Sequence, residues 1–229
     1  MSSSEPFTNE SARPPTEQER PFLDREDAGR RLAEVLARFH GAGTVVLGIP
    51  RGGAVVAAHV ARRLDARLDV WIARKIGAPG NPELGIGAVG EGGALVVDPG
   101  LCAVLGIDAP TLLALAEQQR TAVAERVTLL RRGVAPPQIR GRVVILVDDG
   151  IATGVTVRAA IHDMQARGAL RVVVATPVGA VATLDRLEAE CDEVVALLRV
   201  ANLGAVGRYY DEFEQVSDDT VAELLHPLP

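Results

Sequence analysis

The sequence predicts an α/β fold with a central parallel sheet that is covered by helices on both sides. Short apolar runs alternate with segments of helical periodicity along most of the chain. The clearest run is Val143–Val147, a continuous apolar segment that ends at Asp148 and Asp149. A run so short and so uniformly apolar is typical of a strand buried on both faces. The small residues and the helical spacing that follow complete a strand–loop–helix unit.

The same patterns define the other elements. Asp24 is predicted to cap a first helix whose buried face carries Leu32, Val35, Leu36 and Phe39. Residues 75–83 contain two Gly and two Pro and are predicted to form a mobile loop. Strands are predicted over 44–48, 70–73, 143–147, 172–176 and 194–198, and a hairpin over 86–97. Helices are predicted over 54–64, 156–167 and 180–190. A helical insertion is predicted over about 99–140, with an apolar stripe of Leu112, Leu115, Ala116, Val123, Val127 and Leu130.

Composition limits the class of protein. With 229 residues, 48% of them hydrophobic, the chain suits one domain, predicted over 21–229 after a polar, disordered tail at 1–20. The net charge of −6, without a basic stripe, argues against general nucleic-acid binding. The sequence shows no signal peptide and no membrane-spanning run, so we expect a cytoplasmic protein with no membrane partner.

The segment after the strand has the chemistry of a site for a phosphorylated sugar. Paired carboxylates such as Asp148 and Asp149 can accept hydrogen bonds from vicinal hydroxyls. The loop Gly150–Gly154 is built of small residues, so its amides and the start of the next helix can face a phosphate. Because ligands of parallel sheets bind beyond the carboxyl ends of the strands, the turns at Arg51, Lys75 and Asp148 are all predicted to lie at the ligand-binding edge.

Residues 143–156 resemble the phosphoribosyl-diphosphate (PRPP) signature of type I phosphoribosyltransferases at every position. The sequence Ile49-Pro50-Arg51-Gly52-Gly53 resembles the diphosphate-binding loop of that family, and Arg74-Lys75 are placed like its flexible-loop cations. The resemblance covers roughly residues 24–98 and 141–200. An apolar strand ending in two acids also occurs in nucleoside triphosphatases and in receiver domains, and a purely structural acidic turn is a further alternative. No phosphate-binding G-x-x-x-x-G-K-[ST] motif precedes this strand, however.

The resemblance implies a role for each candidate residue. Asp148 and Asp149 would bind the ribose hydroxyls of PRPP and could contact Mg²⁺, which is held mainly by PRPP itself. Arg74 and Lys75 would be catalytic cations that meet the departing diphosphate. The 5-phosphate would be bound by Gly150, Ile151, Ala152, Thr153, Gly154 and Thr156, and the diphosphate by Arg51, Gly52 and Gly53.

The acceptor base is not readable from the sequence. Ala152 stands where the 6-oxopurine branches of the family have an Asp, whereas residues 49–53 look more like the xanthine-guanine branch. A small C-terminal hood over about 201–229 is predicted, in which Tyr209 and Tyr210 are candidates for base contact.

The resulting hypothesis is a Mg²⁺-dependent phosphoribosyltransferase that uses PRPP and a nucleobase or other amine, with a homodimer as a possible assembly. The alternative is a PRPP-sensing regulator of the same fold without turnover. A PRPP synthase-like protein would need a second homologous domain, for which the chain looks too short.

Overall fold

A computed structural model describes residues 21–41 and 43–226. The predicted tail at 1–20 and the last three residues of the predicted hood lie outside the described residues. The helices of this part of the chain are α1 (Arg25–Val35), α2 (Gly52–Leu64), α3 (Pro99–Val104), α4 (Ala109–Arg131), α5 (Val155–Ala166), α6 (Val181–Glu188) and α7 (Asp218–Leu225). The strands are β1 (Val45–Gly48), β2 (Arg67–Val70), β3 (Ala73–Ala78), β4 (Asn81–Gly90), β5 (Leu95–Val97), β6 (Val143–Val147), β7 (Arg171–Ala180) and β8 (Glu193–Val200).

The predicted α/β architecture is confirmed. Five parallel strands form the central sheet in the order β2-β1-β6-β7-β8. Alternate residues of each strand point to opposite faces, so Val46 and Ile145 pack with α1 and α2, whereas Leu47 and Leu146 pack with α5 and α6. Because both faces of β6 are buried, its sequence is a continuous apolar run rather than an alternating one.

A second sheet of three antiparallel strands, β3-β4-β5, lies beside the main sheet. One of its faces packs with α4 and α7 in a cluster that includes Ile76, Ile86, Leu130 and Val221. The predicted insertion is therefore an α3–α4 pair whose apolar stripe covers this small sheet. Among the described residues, no helix is both long and apolar enough to cross a membrane.

Three local predictions were wrong. Residues 75–83 are not a loop but the end of β3, the turn and the start of β4, and the turn places Gly80 at φ +75°. The predicted strand 70–73 is divided between β2 and β3, because the chain leaves one sheet after Val70 and enters the other at Ala73. Val35 is 46% exposed rather than buried, because the buried stripe of the helix runs along Ala28, Leu32, Ala33 and Leu36 and leaves Val35 at its edge.

The hairpin accommodates its Gly and Pro residues through irregular pairing. The register shifts on both sides of Gly77, where a Cβ would lie 2.6 Å from the carbonyl oxygen of Pro82. A bulge with close backbone approach explains how a Gly/Pro-rich segment can still form strands.

Candidate functional site

The candidate site lies where three neighbouring strands end at the same level. Gly48, at the end of β1, pairs with Val70 of β2 on one side and Val147 of β6 on the other. Because these strands are parallel, the segments that follow them leave the same edge of the sheet. Two of the predicted turns, at Arg51 and Asp148, therefore meet directly, and the hairpin with Lys75 begins beside them.

The acid pair is held in place by contacts from distant parts of the chain. The amide of Asp149 donates to Asp148 Oδ1 at 2.9 Å, and the hydroxyl of Tyr210 donates to the main-chain oxygen of Asp149 at 2.6 Å. Arg25 Nε, at the start of α1, donates to Asp149 Oδ2 at 2.6 Å. Burial, together with the neighbouring Asp149, raises the pKa of Asp148 well above its usual value. The two carboxyls are therefore inequivalent, because only Asp149 is paired with a cation within the described chain.

The Arg51–Gly53 segment packs so closely on the acid pair that only glycine fits. A Cβ at Gly52 would lie 1.7 Å from Asp149 Oδ2, and one at Gly53 would lie 2.6 Å from the carbonyl oxygen of Val147. Helix α2 begins at Gly52, and the peptide bond between Pro50 and Arg51 is cis. The amides of Gly52 and Gly53 donate to no acceptor among the described residues. They are thus available at a helix start, where the dipole favours an anion.

The loop after the acid pair is bonded to β7 and α6 through some of its main-chain groups, while other amides of the loop have no acceptor. Ile151 forms a parallel bridge with Gly179, in which its amide donates to Val178 at 2.9 Å. Thr183 Oγ1 donates to the main-chain oxygen of Ala152 at 2.6 Å. These bonds fix the loop while leaving the amides of residues 152–154 without an acceptor in the described structure.

Gly154 turns the loop into α5 with φ +70°, a conformation that glycine adopts without strain. The predicted phosphate-binding residues thus form one continuous turn at a helix N-terminus. Ile151 differs from its neighbours, because its amide is already used within the fold.

The two predicted cations lie on opposite faces of β3. Lys75 pairs with Ala88, which packs with Val155 and Ala159 of α5, so Lys75 belongs to the face that packs on α5. Arg74 is exposed and belongs to the other face. Lys75 Nζ donates to the main-chain oxygen of Glu83 at 2.9 Å and lies 3.3 Å from its carboxylate. Sequence proximity alone does not bring both cations to one ligand.

Two groups of buried charged side chains and their hydrogen-bond partners, next to the start of the β3–β4 hairpin, were not predicted from the sequence. In the first, Asp163 of α5 is 2% exposed and accepts hydrogen bonds from Trp71 Nε1 at 2.8 Å, from the Gly92 amide at 3.0 Å and from the Ala94 amide at 2.9 Å. A lone Asp within a helical pattern gives no sequence signal of this role.

The second cluster centres on Arg131, at the end of α4. Its guanidinium is 2.6 Å from Glu91 Oε1, 3.0 Å from Asp69 Oδ1 and 2.7 Å from the Val70 carbonyl oxygen. Burial raises the pKa of Glu91, whereas Arg131 acts to lower it. The cluster joins α4 of the insertion, the end of β2 and the turn between β4 and β5. The four charged residues Asp69, Glu91, Arg131 and Asp163 thus form the support of the hairpin.

The C-terminal segment reaches the acid pair mainly through Tyr210. Tyr210 is 1% exposed and packs on Phe22, with ring centroids 5.4 Å apart, so in this conformation its ring is not available to stack on a base. Tyr209 is partly exposed. Helix α7 lies farther along the chain and packs against α4 and α2. Of the two predicted tyrosines, Tyr210 supports the acid pair and Tyr209 remains the candidate for base contact.

Fold and site together define an α/β protein whose sheet edge carries an acid pair between two glycine-containing turns, each at the start of a helix. The family model described as phosphoribosyl transferase domain matches residues 23–212, so the chain belongs to that family. Among the described residues, no group of three or more His, Cys, Asp or Glu could hold a metal ion.

Known proteins with similar sequences and structures agree with this family assignment. Proteins from two Mycobacterium tuberculosis strains, CDC 1551 and H37Rv, each provisionally named a phosphoribosyl transferase, are 44% identical over 204 residues. The match covers 89% of this chain and 46% of each relative, so the chain spans about half the length of these curated relatives. The crystal structure of TT1426 from Thermus thermophilus superposes with a TM-score of 0.76 at 47% identity, and the match covers 89% of this chain and 97% of that one.

Proposed function

We propose that this protein transfers the 5-phosphoribosyl group of PRPP to a nitrogenous base with release of diphosphate. The observation that carries the proposal is the meeting of three elements at one sheet edge: the glycine-lined start of α2, the acid pair after β6 and the open loop before α5. PRPP is a sugar diol with an anion at each end, and these three elements offer acceptors between two groups of amide donors.

The roles of the residues follow from this arrangement. Asp148 and Asp149 bind the ribose 2- and 3-hydroxyls. The turn Gly150–Gly154 and the hydroxyl of Thr156 bind the 5-phosphate, although the amide of Ile151 is committed to Val178. Arg51, Gly52 and Gly53 bind the diphosphate through main-chain donors.

The reaction needs no covalent nucleophile on the protein. The C1–O bond of PRPP breaks through an oxocarbenium-like transition state, and its electron pair leaves with diphosphate. A nitrogen lone pair of the base forms the new bond to C1, and the proton of that nitrogen passes to solvent. The protein orients the reactants and stabilises the negative charge that grows on diphosphate. Lys75 is the better placed cation for that purpose, and Arg74 would have to act from the other face of β3.

A Mg²⁺ ion bound together with PRPP fits these residues. Two adjacent carboxylates, one of them engaged by Arg25, offer few protein ligands, which suits an ion that keeps several waters and binds substrate phosphates. Asp148 and Asp149 are the residues that would contact it. When bound, the ion would neutralise part of the diphosphate charge.

The acceptor is proposed not to be a 6-oxopurine. Ala152 offers no carboxylate to such a base, and its main-chain oxygen is already engaged by Thr183. Efficient conversion of hypoxanthine or guanine in a panel of nucleobases and amines would contradict this, and would direct attention to Asp211 or Glu212 as the acid.

The proposal is tested first by ligand binding. PRPP with Mg²⁺ should raise the melting temperature of the wild-type protein, and Asp148→Asn with Asp149→Asn should abolish that rise. The matched control is Asp218→Asn with Asp219→Asn, an adjacent acid pair at the start of α7, which should leave the response to PRPP intact. A double variant at 148 and 149 that responds like the wild type would refute the site assignment.

Turnover is tested separately by release of diphosphate from PRPP in the presence of the acceptor panel. PRPP binding without turnover on any acceptor would favour the PRPP-sensing regulator over the enzyme.

A further inference from the structure

The side chain of Arg25 links three parts of the chain at the acid pair. Its Nε donates to Asp149 Oδ2 at 2.6 Å, its Nη1 donates to the carbonyl oxygen of Glu214 at 2.8 Å, and its guanidinium carbon lies 3.7 Å from the ring centroid of Phe213. The side chains of Arg25 and Asp149 are only 11% and 16% exposed. An ion pair shielded to this degree is worth more than an exposed one, because water screens it less.

The segment that Arg25 contacts is itself bound to the residues before α1. The amide of Asp211 donates to the Phe22 carbonyl oxygen at 2.9 Å, and the amide of Glu212 donates to that of Leu23 at 2.8 Å. The ring of Tyr210 packs on Phe213 with centroids 4.9 Å apart. Residues 22–25 and 209–214 therefore form one unit, which we call the Arg25 clasp.

The clasp holds Asp149 at two points. Tyr210 fixes its main-chain oxygen, and Arg25 fixes one oxygen of its carboxylate. The other carboxylate oxygen, Oδ1, accepts no hydrogen bond from the described residues. One oxygen of Asp149 is thus fixed by the protein, and the other is left to accept from a ligand.

We propose that Arg25 is a positioning residue for recognition of the sugar diol, and that it couples the acid pair to the C-terminal segment 209–214. This inference rests on the proposed function, since it assigns the free oxygen of the Asp149 carboxylate to the sugar 2-hydroxyl. Arg25 acts through Asp149 and makes no contact with the ligand itself. Without it, Asp149 would lose its only described ion pair and its fixed orientation.

The binding test compares ribose 5-phosphate with 2-deoxyribose 5-phosphate by calorimetry. The wild type should bind the ribose compound about tenfold more tightly, since a lost hydroxyl leaves a carboxylate oxygen unpaired. Arg25→Gln should reduce that preference to about twofold, and Arg25→Lys should keep an intermediate value, because it retains the charge without the planar fork.

The matched control is Arg30→Gln. Arg30 lies on the same helix, 3.8 Å from the carboxylates of Glu26 and Asp27, and among the described residues it forms no ion pair, hydrogen bond or ring contact with the acid pair or the clasp. This variant should keep the full preference for the diol. A purely structural role for Arg25 would weaken the binding of both sugars equally, so an unchanged ratio in Arg25→Gln would overturn the proposal.

Hydrogen exchange in the ligand-free protein tests the coupling without any ligand. The amides of Asp211 and Glu212 should exchange faster in Arg25→Gln than in Arg30→Gln or the wild type. Equal protection in all three proteins would refute the coupling to the C-terminal segment. If the wild type binds neither sugar phosphate nor PRPP, both the proposed function and the diol recognition are refuted. The exchange data still decide whether Arg25 is coupled to the C-terminal segment.

Discussion

The acid-pair loop and the β3–β4 hairpin stand at the same edge of the sheet but are held there in different ways. The loop is fixed mainly through its backbone, by the bridge between Ile151 and Gly179 and by the close approach of Gly52. The hairpin is fixed at its root by buried charged side chains, chiefly Arg131 and Asp163. The loop should therefore be sensitive to added volume, whereas the hairpin should be sensitive to the loss of single charges.

The largest effect is expected at the Arg131 cluster. Arg131→Met leaves Asp69 and Glu91 buried without a cation, which should lower the free energy of unfolding by about 3–5 kcal/mol. Urea unfolding measures it. Adding Glu91→Gln to that variant should recover part of the loss, because it removes one unpaired charge. Arg120→Met serves as the control, since the side chain of Arg120 is 38% exposed, and a loss of similar size there would contradict the role of burial.

The hairpin is also expected to carry the catalytic cation. If the protein is a phosphoribosyltransferase, Lys75→Ala should lower kcat by an amount equivalent to about 2–4 kcal/mol, by analogy with donors that meet a developing oxyanion. Its KM for PRPP should change less, since the charge matters most as diphosphate leaves. Arg74→Ala, on the opposite face of β3, is the matched variant. A greater loss of kcat in Arg74→Ala would show that Arg74, rather than Lys75, meets the ligand.

A smaller effect is expected when Asp163 keeps its shape but loses its charge. Asp163→Asn should lower the free energy of unfolding by about 1–3 kcal/mol, because an amide cannot accept from all three donors that face Asp163. Trp71 is the only tryptophan of the chain and donates to this carboxylate, so its fluorescence should report the change directly. A spectrum and stability equal to those of the wild type would show that the hairpin root does not depend on this charge.

The smallest effect lies away from both regions, at Cys191 between α6 and β8. Burial raises the pKa of its thiol from 9.0 to about 11. Near pH 8 it should therefore react with iodoacetamide about a hundredfold more slowly than a free thiol, because the thiolate fraction falls tenfold for each unit of pKa.

The raised pKa of Cys191 also has a defined sign for stability. Because the fold favours the protonated thiol, its contribution is complete below pH 9 and is lost as pH rises toward 11. Cys191→Ser removes the reactive group and identifies the background from Cys102. Rapid alkylation at neutral pH would mean that the thiol is not shielded.

Local sequence was enough to predict the strand 143–147, the acid pair, the glycine loops and the α/β class. A run of apolar residues specifies a buried strand, and Gly52, Gly53 and Gly154 mark places where the backbone must turn or approach closely. The family model over residues 23–212 confirms the family that these segments indicated.

The support of the site, in contrast, depends on the three-dimensional fold. Arg25 and Asp149 are 124 residues apart in sequence, and Arg131 and Asp69 are 62 apart, so no spacing along the chain predicts either pair. The hairpin over 73–90 likewise required its partners, because packing against α4 and α5 outweighs the turn propensity of its Gly and Pro residues. Local sequence sets the chemistry that a segment can offer, whereas burial and long-range contacts decide which charges meet and which remain free for a ligand.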